Sequence, residues 1–149
     1  MSDASLSLKE FFTHDHRRCD ERWAEVEAAA QAGEREVEKE KWREFQSQML
    51  RHLRMEEEVM FPAFEQASGM TGGGPTFVMR SEHEQMRGLI VQMSAAADGG
   101  DYDELVDLGD TLLMLIQQHN QKEENMLYPM AEQALTGDWA KIHERLLEY

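Results

Sequence analysis

Basic residues, prolines, cysteines and long apolar runs are all scarce in this chain of 149 residues. Its 15 Lys and Arg face 30 Asp and Glu, so the formal net charge is −15. Such a surface repels phosphate backbones and anionic membrane surfaces, and we therefore expect no nucleic-acid or membrane partner. The longest aliphatic run, Leu112 to Ile116, is far shorter than the ~20 apolar residues that a membrane-spanning helix requires.

The single cysteine, Cys19, excludes an intrachain disulfide, which suits a reducing compartment. The stretch from Met1 to Glu10 has neither the basic nor the apolar region of a secretory signal. We therefore expect a cytoplasmic protein. Cys19 lies one helical turn from His16, and we interpret it as a small core residue more readily than as a redox group.

The three prolines stand at positions 62, 75 and 129, no segment alternates apolar and polar residues as a strand does, and helical periodicity covers most of the chain. The sequence therefore predicts an all-α fold, a single domain over residues 1–149. The predicted helices run from Ser7 to near Gly33, from about Glu34 to Ser68 with a bend at Pro62, from about Thr76 to Asp98, and from Asp101 to about Leu135. Residues 69–75 form the predicted connector, and a short tail helix is predicted at about 138–148.

Two halves of the sequence repeat each other at an offset of 67 residues. Residues 52–67 read HLRMEEEVMFPAFEQA, and residues 119–134 read HNQKEENMLYPMAEQA. The same offset relates His16 to His83 and Asp15 to Glu82. Each half therefore contains a histidine followed, 36 residues later, by the motif His-x-x-x-Glu. This repeat predicts a duplicated pair of helices.

The spacing of the histidines predicts that all four lie in one layer. The midpoints between His16 and His52 and between His83 and His119 fall beside the two predicted turns. Because two antiparallel helices rise equally, about 1.5 Å per residue, each pair returns to the same height, provided that the 69–76 loop compensates for unequal lengths. Residues i and i+4 lie about 40° apart around a helix, so each His-x-x-x-Glu motif points both side chains the same way.

The faces that carry these motifs are apolar, so the glutamates would be buried. An unpaired buried carboxylate costs several kcal/mol, which favours pairing with a cation. Two divalent ions would each receive two imidazoles and share both carboxylates, with room for an oxo or hydroxo bridge and an exchangeable position. Imidazole with carboxylate suits iron. A metal-free helical interaction module, in which the histidines are hydrogen-bonded core residues, is the alternative interpretation.

Together these motifs resemble the hemerythrin-like HHE cation-binding family over roughly residues 6–135. The matching phrases are Asp15-His16-Arg17-Arg18, His52-x-x-x-Glu56-Glu57 with Phe61-Pro62, Glu82-His83, and His119-x-x-x-Glu123-Glu124 with Tyr128-Pro129. The resemblance implies an up-down-up-down four-helix bundle around a non-haem di-iron centre. It also implies four terminal ligands and two bridging carboxylates, namely His16, His52, His83 and His119 with Glu56 and Glu123.

Two positions differ from the oxygen-carrying members of that family. Arg87 stands where they have a second histidine four residues after the helix-3 ligand, and their helix-4 acid corresponds to Glu124 instead of Glu123. We expect Glu123 to be the ligand because of the repeat, with Glu124 as the alternative. Replacing Glu57 or Glu124 should have a mild effect, because these residues lie about 140° from the histidines on an ideal helix. Arg87 is expected either at the rim of the exchangeable position or in a surface salt bridge.

The ligand pattern is closer to the di-iron domain of iron-sulfur cluster repair proteins. We therefore expect a di-iron protein that binds or responds to O2, NO or peroxide, or, as an alternative, one that donates iron for the repair of iron-sulfur centres. No catalytic residue is assigned. His14 is expected to face solvent, and His143 to be structural or at the surface.

Overall fold

The structure is a computed structural model in which residues 6–149 are described, and these contain helices but no strand. The helices are α1 (Leu8–Gln31), α2 (Arg35–Met55), α3 (Phe61–Ser68), α4 (Pro75–Asp98), α5 (Tyr102–Lys122), α6 (Tyr128–Ala134) and α7 (Trp139–Leu146). A first π turn (Glu56–Met60) separates α2 from α3, and a second π turn (Glu123–Leu127) separates α5 from α6. Residues 1–5, half of the segment that argued against a secretory signal, lie outside this range.

Four long helical rods form an up-down-up-down bundle, because each π turn continues the helices on either side of it. The rods are α1, then α2 with α3, then α4, then α5 with α6. Helix α1 packs along α2 and α4 packs along α5, and the two hairpins meet where α1 contacts α5 and α6 and where α2 contacts α4. The all-α fold predicted from periodicity and the four-helix bundle implied by the family resemblance are therefore confirmed.

The ends of the helices follow local sequence signals. The Ser7 hydroxyl accepts a hydrogen bond from the Glu10 amide at 3.1 Å, and the Glu10 carboxylate accepts one from the Ser7 amide at 3.0 Å. This capping box satisfies two amides that have no partner inside the helix. Gly33 and Gly100, again 67 residues apart, have φ of 72° and 74°. Glycine adopts this left-handed conformation without steric cost, so each hairpin turns where the repeat predicts.

Proline explains why both long rods contain a π turn. Pro62 and Pro129 lack the amide that would bond to the carbonyl four residues earlier, and their rings would clash with that carbonyl. In each rod the residue just before the proline, Phe61 or Tyr128, donates its amide instead to the carbonyl five residues back, that of Glu56 or Glu123. The wider turn accommodates the proline without ending the rod. Each of the two π turns begins at a glutamate of the predicted metal site.

The apolar core consists of two clusters, one on each side of the histidine layer. One contains Phe12, Met55, Phe61, Phe64 and Leu127, and helix α7 covers its outer end with Ile142 and Leu146. The other contains Trp23, Trp42, Phe45, Ile90 and Leu112. The polar layer is therefore enclosed by apolar side chains, where charges interact more strongly than in water. Within residues 6–149, no helix is both long and apolar enough to cross a membrane.

A close approach between α1 and α5 fixes the packing of the second cluster. The buried indole of Trp23 lies directly against Gly109, so that a Cβ added at Gly109 would come within 2.1 Å of the Trp23 ring. Only glycine leaves room for the ring at this position of α5. The indole also packs edge-on against Phe45, with ring centroids 5.3 Å apart.

Candidate metal centre

The structure brings together all six residues predicted as metal ligands, and each is at most 3% exposed. They form two groups that can hold a metal ion, in each of which one ligand atom per residue lies within 4.8 Å of the others. One group is His16, His52, Glu56 and Glu123, and the other is Glu56, His83, His119 and Glu123. The two groups share both glutamates, which is the arrangement that a pair of bridging carboxylates requires.

The glutamate oxygens lie between the histidines of the two groups. Glu56 Oε2 is 3.4 Å from His52 Nε2, and Glu56 Oε1 is 3.1 Å from His83 Nε2. Glu123 Oε1 is 3.1 Å from His16 Nε2 and 3.2 Å from His119 Nε2. Metal bonds of about 2.1 Å place neighbouring ligand atoms of one ion about 3 Å apart. The spacing of these donors therefore fits metal coordination.

Each of the four histidines donates its Nδ1–H to a carboxylate outside the layer. The pairs are His52 with Asp15 at 2.7 Å, His119 with Glu82 at 2.8 Å, His83 with Glu57 at 2.6 Å and His16 with Glu124 at 2.7 Å. These bonds fix the ring orientation and turn every Nε2 toward the centre, as metal-ligating histidines require. The 67-residue repeat relates Asp15 to Glu82 and Glu57 to Glu124. The contacts of these outer carboxylates are therefore duplicated together with those of the inner glutamates.

The expectation that Glu57 and Glu124 point away from the site is wrong. Both carboxylates reach a histidine of another helix, Glu57 that of α4 and Glu124 that of α1. Of the two places expected for Arg87, the structure shows the salt bridge: its two terminal nitrogens lie 2.7 and 2.8 Å from the two carboxylate oxygens of Glu57. The carboxylate of Glu123, and not that of Glu124, belongs to the inner groups.

Several buried atoms at the centre lack a hydrogen bond from the rest of the described chain. Among residues 6–149 these include His52 Nε2, Glu56 Oε1 and Glu123 Oε2. Leaving a buried polar group unpaired costs about 1–3 kcal/mol. In addition, His83 Nε2 and His119 Nε2 lie 3.2 Å apart, although both rings already donate through Nδ1. Neutral rings would thus present two lone pairs to each other, and a cation between them removes that conflict. The residues present fit a metal centre.

The charges of the histidines and glutamates at the centre shift one another's pKa values. Burial by itself lowers the pKa of His119, but the charge and hydrogen bond of Glu123 raise it to about 9. Burial likewise opposes the charged form of His52, yet Glu56 and Asp15 raise its pKa well above the usual value. The pKa of Glu56 is held well below its usual range, since His52 and His83 outweigh the effect of burial. Protons balance the buried glutamates without metal, and a metal ion must displace them.

Tyr128 is a polar residue of the centre that the sequence reading did not assign. Its hydroxyl donates to Glu56 Oε2 at 2.5 Å and lies 3.0 Å from both Glu123 Oε1 and His16 Nε2. In the repeat it corresponds to Phe61, whose ring stacks on His83 with centroids 5.4 Å apart. The available signal was the difference between Phe61 and Tyr128, where one half of the repeat has a hydroxyl beside the proline that the other lacks.

The remaining histidines and the cysteine behave as the sequence indicated. His14 is exposed. His143, a residue of α7, is buried against Trp139 and Phe11, with ring centroids at 5.2 and 5.3 Å, and is therefore a packing residue. Burial raises the pKa of the Cys19 thiol to about 12, which keeps it protonated and makes it a core residue.

Comparison with known proteins agrees with this geometry. A family model for the hemerythrin HHE cation-binding domain matches residues 7–131, which include all six residues of the two groups and all four outer carboxylates. No curated protein and no solved structure gives a significant match to the chain.

Proposed function

The chain belongs to the hemerythrin family of HHE cation-binding domains, and we propose that it is a non-haem di-iron protein that binds or reacts with O2, NO or peroxide. The observation that carries this proposal is the pair of histidine groups that share Glu56 and Glu123. A single ion would use only one group and leave the two imidazoles of the other without an ion. Two ions use all six residues.

The donor set supports iron without selecting it by affinity. Two imidazoles and two carboxylates per ion suit iron, but zinc or copper would bind similar donors more tightly by the Irving–Williams order. Two divalent cations also offset the charge of the two buried carboxylates. The outer carboxylates then keep the imidazoles in place, because Asp15, Glu57, Glu82 and Glu124 each hold one ring by Nδ1.

Small ligands fit this centre better than large substrates. The two histidine groups lie between two apolar clusters, and each of their six residues is at most 3% exposed, so a large substrate has no room beside them. Four protein donors per ion leave exchangeable positions in a six-coordinate sphere. Iron bound there supplies electrons to O2 or peroxide and an open position to NO, while the chain itself orients the donors and limits access of water.

Reconstitution with iron tests the proposal. Metal-free protein is loaded with Fe(II) without oxygen, desalted, analysed for iron per chain, and then mixed in a stopped-flow spectrometer with O2, NO or peroxide. We expect two irons per chain and oxidation by O2 or peroxide, with no long-lived reversible O2 adduct. His14→Ala, which changes an exposed histidine, is the matched control for His16→Ala. A folded protein that keeps no iron after desalting would contradict the proposal, and a spectrum that reverses when O2 is removed would show oxygen carriage instead.

A surface pocket beside His16 favours iron donation as a second candidate. Asp20, Glu124 and Arg17 line this pocket together with His16 and polar residues of α5. Two acidic groups thus lie between a candidate ligand and solvent, on a path suited to a cation. In this case a chelator should remove iron quickly from the reduced protein, whereas the three small ligands should leave its spectrum unchanged.

A further inference from the structure

The hydroxyl of Tyr128 occupies the space of a ligand in one histidine group only. Its distances to Glu56 Oε2, Glu123 Oε1 and His16 Nε2 are 2.5, 3.0 and 3.0 Å. The predicted ligand atoms His16 Nε2 and Glu123 Oε1 are themselves 3.1 Å apart. Since neighbouring donors of one ion are about 3 Å apart, the phenol oxygen has the position of one more donor in this group.

The fold holds the Tyr128 side chain in this place. The residue is fully buried, and its ring stacks on Phe12 and on His16 with centroids 5.3 and 5.6 Å away. The second π turn sets its direction, because a bond from the Tyr128 amide to the Glu123 carbonyl aligns residues five apart. The hydroxyl thus needs no rearrangement to reach the His16 and His52 group.

Among residues 6–149, no tyrosine hydroxyl contacts a histidine of the other group. Phe61 takes the equivalent place in the repeat and stacks its ring on His83. The carboxylates behind the histidines also differ. Glu57 behind His83 is paired with Arg87, whereas Glu124 behind His16 shares a pocket with Asp20 and Arg17.

We propose that Tyr128 is a further metal ligand that binds only the ion held by His16 and His52, and that small molecules bind the other ion, beside Phe61. This inference rests on the proposed di-iron function. On binding, the phenolic O–H bond breaks, the proton passes to solvent, and the oxygen donates an electron pair to the cation, with no change of oxidation state. A bound cation reverses the local field that otherwise keeps the phenol protonated.

The donor count explains why the two ions would then differ. Two imidazoles, two carboxylates and the Tyr128 oxygen would give the first ion five protein donors, against four for the second. In a six-coordinate sphere the second ion would therefore keep one more open position for a small ligand. Phe61 makes the surroundings of that open position apolar.

Resonance Raman spectroscopy of the oxidised, iron-loaded protein tests the inference. A tyrosinate bound to Fe(III) gives a visible charge-transfer band and enhanced ring vibrations. The chain has three tyrosines, so the double variant Tyr102→Phe/Tyr149→Phe leaves Tyr128 as the sole tyrosine. We expect that variant to keep the tyrosinate signal, and Tyr128→Phe to lose it while still binding two irons. We also expect one NO per iron pair in the wild type and a second NO in Tyr128→Phe.

The outcomes separate this inference from the proposed function. Two bound irons without a tyrosinate signal in the double variant would overturn the role of Tyr128 and leave the di-iron function standing. A protein that binds no iron would overturn both. If Tyr128→Phe fails to fold, the double variant still decides the matter, because every tyrosinate band in it must come from Tyr128.

Discussion

Asp15 Oδ2 accepts the Nδ1–H of His52 at 2.7 Å, between side chains that lie 37 residues apart in the sequence. The other oxygen of Asp15 accepts hydrogen bonds from Gln48 at 3.0 Å and from Arg51 at 3.1 Å. The carboxylate is therefore held from two sides, and it holds in turn the imidazole of a candidate ligand. Its counterpart in the repeat, Glu82, does the same for His119 with Lys122 on its second oxygen.

Replacing Asp15 by Asn should weaken metal binding without unfolding the protein. Asn has nearly the same shape but no charge, so the imidazole of His52 becomes a weaker and less firmly oriented ligand. Loss of such an outer partner typically lowers metal affinity by about 10–100-fold. Competition with a chelator measures the change. Asp107→Asn, an exposed acid on α5, is the control and should leave the affinity unchanged; equal affinities for both variants would contradict the role of Asp15.

Replacing either shared glutamate should affect both ions. Glu56→Ala and Glu123→Ala each remove a carboxylate that belongs to both histidine groups. We expect each variant to lose tight binding of both irons, and not of one iron alone. Iron content after gel filtration, with circular dichroism to verify folding, measures this result. Retention of two tightly held irons by Glu123→Ala and their loss from Glu124→Ala would show that Glu124 is the bridging residue.

Glu57→Ala and Glu124→Ala should have clear effects, in contrast to the expectation from ideal helix geometry. Each removes the partner of one imidazole, His83 or His16. We expect about a 10–100-fold loss of metal affinity, smaller than for Glu56→Ala. Glu58→Ala, which changes the exposed neighbouring acid, is the matched control. An effect of Glu57→Ala no larger than that of Glu58→Ala would refute this view of the outer carboxylates.

The metal-free protein should be most stable in mildly acidic solution. The folded-state pKa of His119 is raised from 6.5 to about 9, so its contribution is complete below pH 6.5 and is lost as pH rises through about 9. The pKa of Glu57 is lowered from 4.5 to about 2 by His83 and Arg87 against the effect of burial, so its contribution is lost as pH falls from 4.5 toward 2. Melting temperatures across this range should peak between pH 4.5 and 6.5.

Bound metal should remove the alkaline part of this dependence. Metal-bound imidazoles carry no proton on Nε2, so raising the pH takes nothing from them. The loaded protein should therefore keep its melting temperature up to about pH 9, and binding should release protons into a weakly buffered solution. A metal-free protein that becomes more stable between pH 6.5 and 9 would be inconsistent with the raised pKa of His119.

Gly109→Ala should destabilise the bundle. The added methyl group would overlap the buried ring of Trp23, and overpacking of this kind costs about 1–3 kcal/mol. Gly88→Ala on α4 is the control, since a Cβ there meets no atom within 4 Å, and it should stabilise the helix by about 0.5–1 kcal/mol. Urea unfolding of the two metal-free variants measures both effects. A Gly109→Ala variant as stable as the wild type would contradict the close packing of Trp23.

The sequence alone determined the features that depend on local spacing. His52 and Glu56 lie one turn apart, so they point the same way on any helix, and the repeat assigned the same relation to His119 and Glu123. Equal rise along two antiparallel helices brought His16 to the level of His52. Short-range steric and hydrogen-bonding preferences likewise determined the capping box at Ser7 and the left-handed glycines at 33 and 100.

Only the tertiary structure decided how each helix is rotated about its axis and what its side chains meet there. Ideal helix geometry places Glu57 and Glu124 about 140° from His52 and His119, but it says nothing of the contacts that they make with His83 and His16 on other helices. The Tyr128 hydroxyl, just beyond the second π turn, likewise lies among the ligand atoms. The contact between Trp23 and Gly109 joins residues of two different hairpins. Periodicity within one helix carries no information on such contacts, because their energy arises only when separate helices pack together.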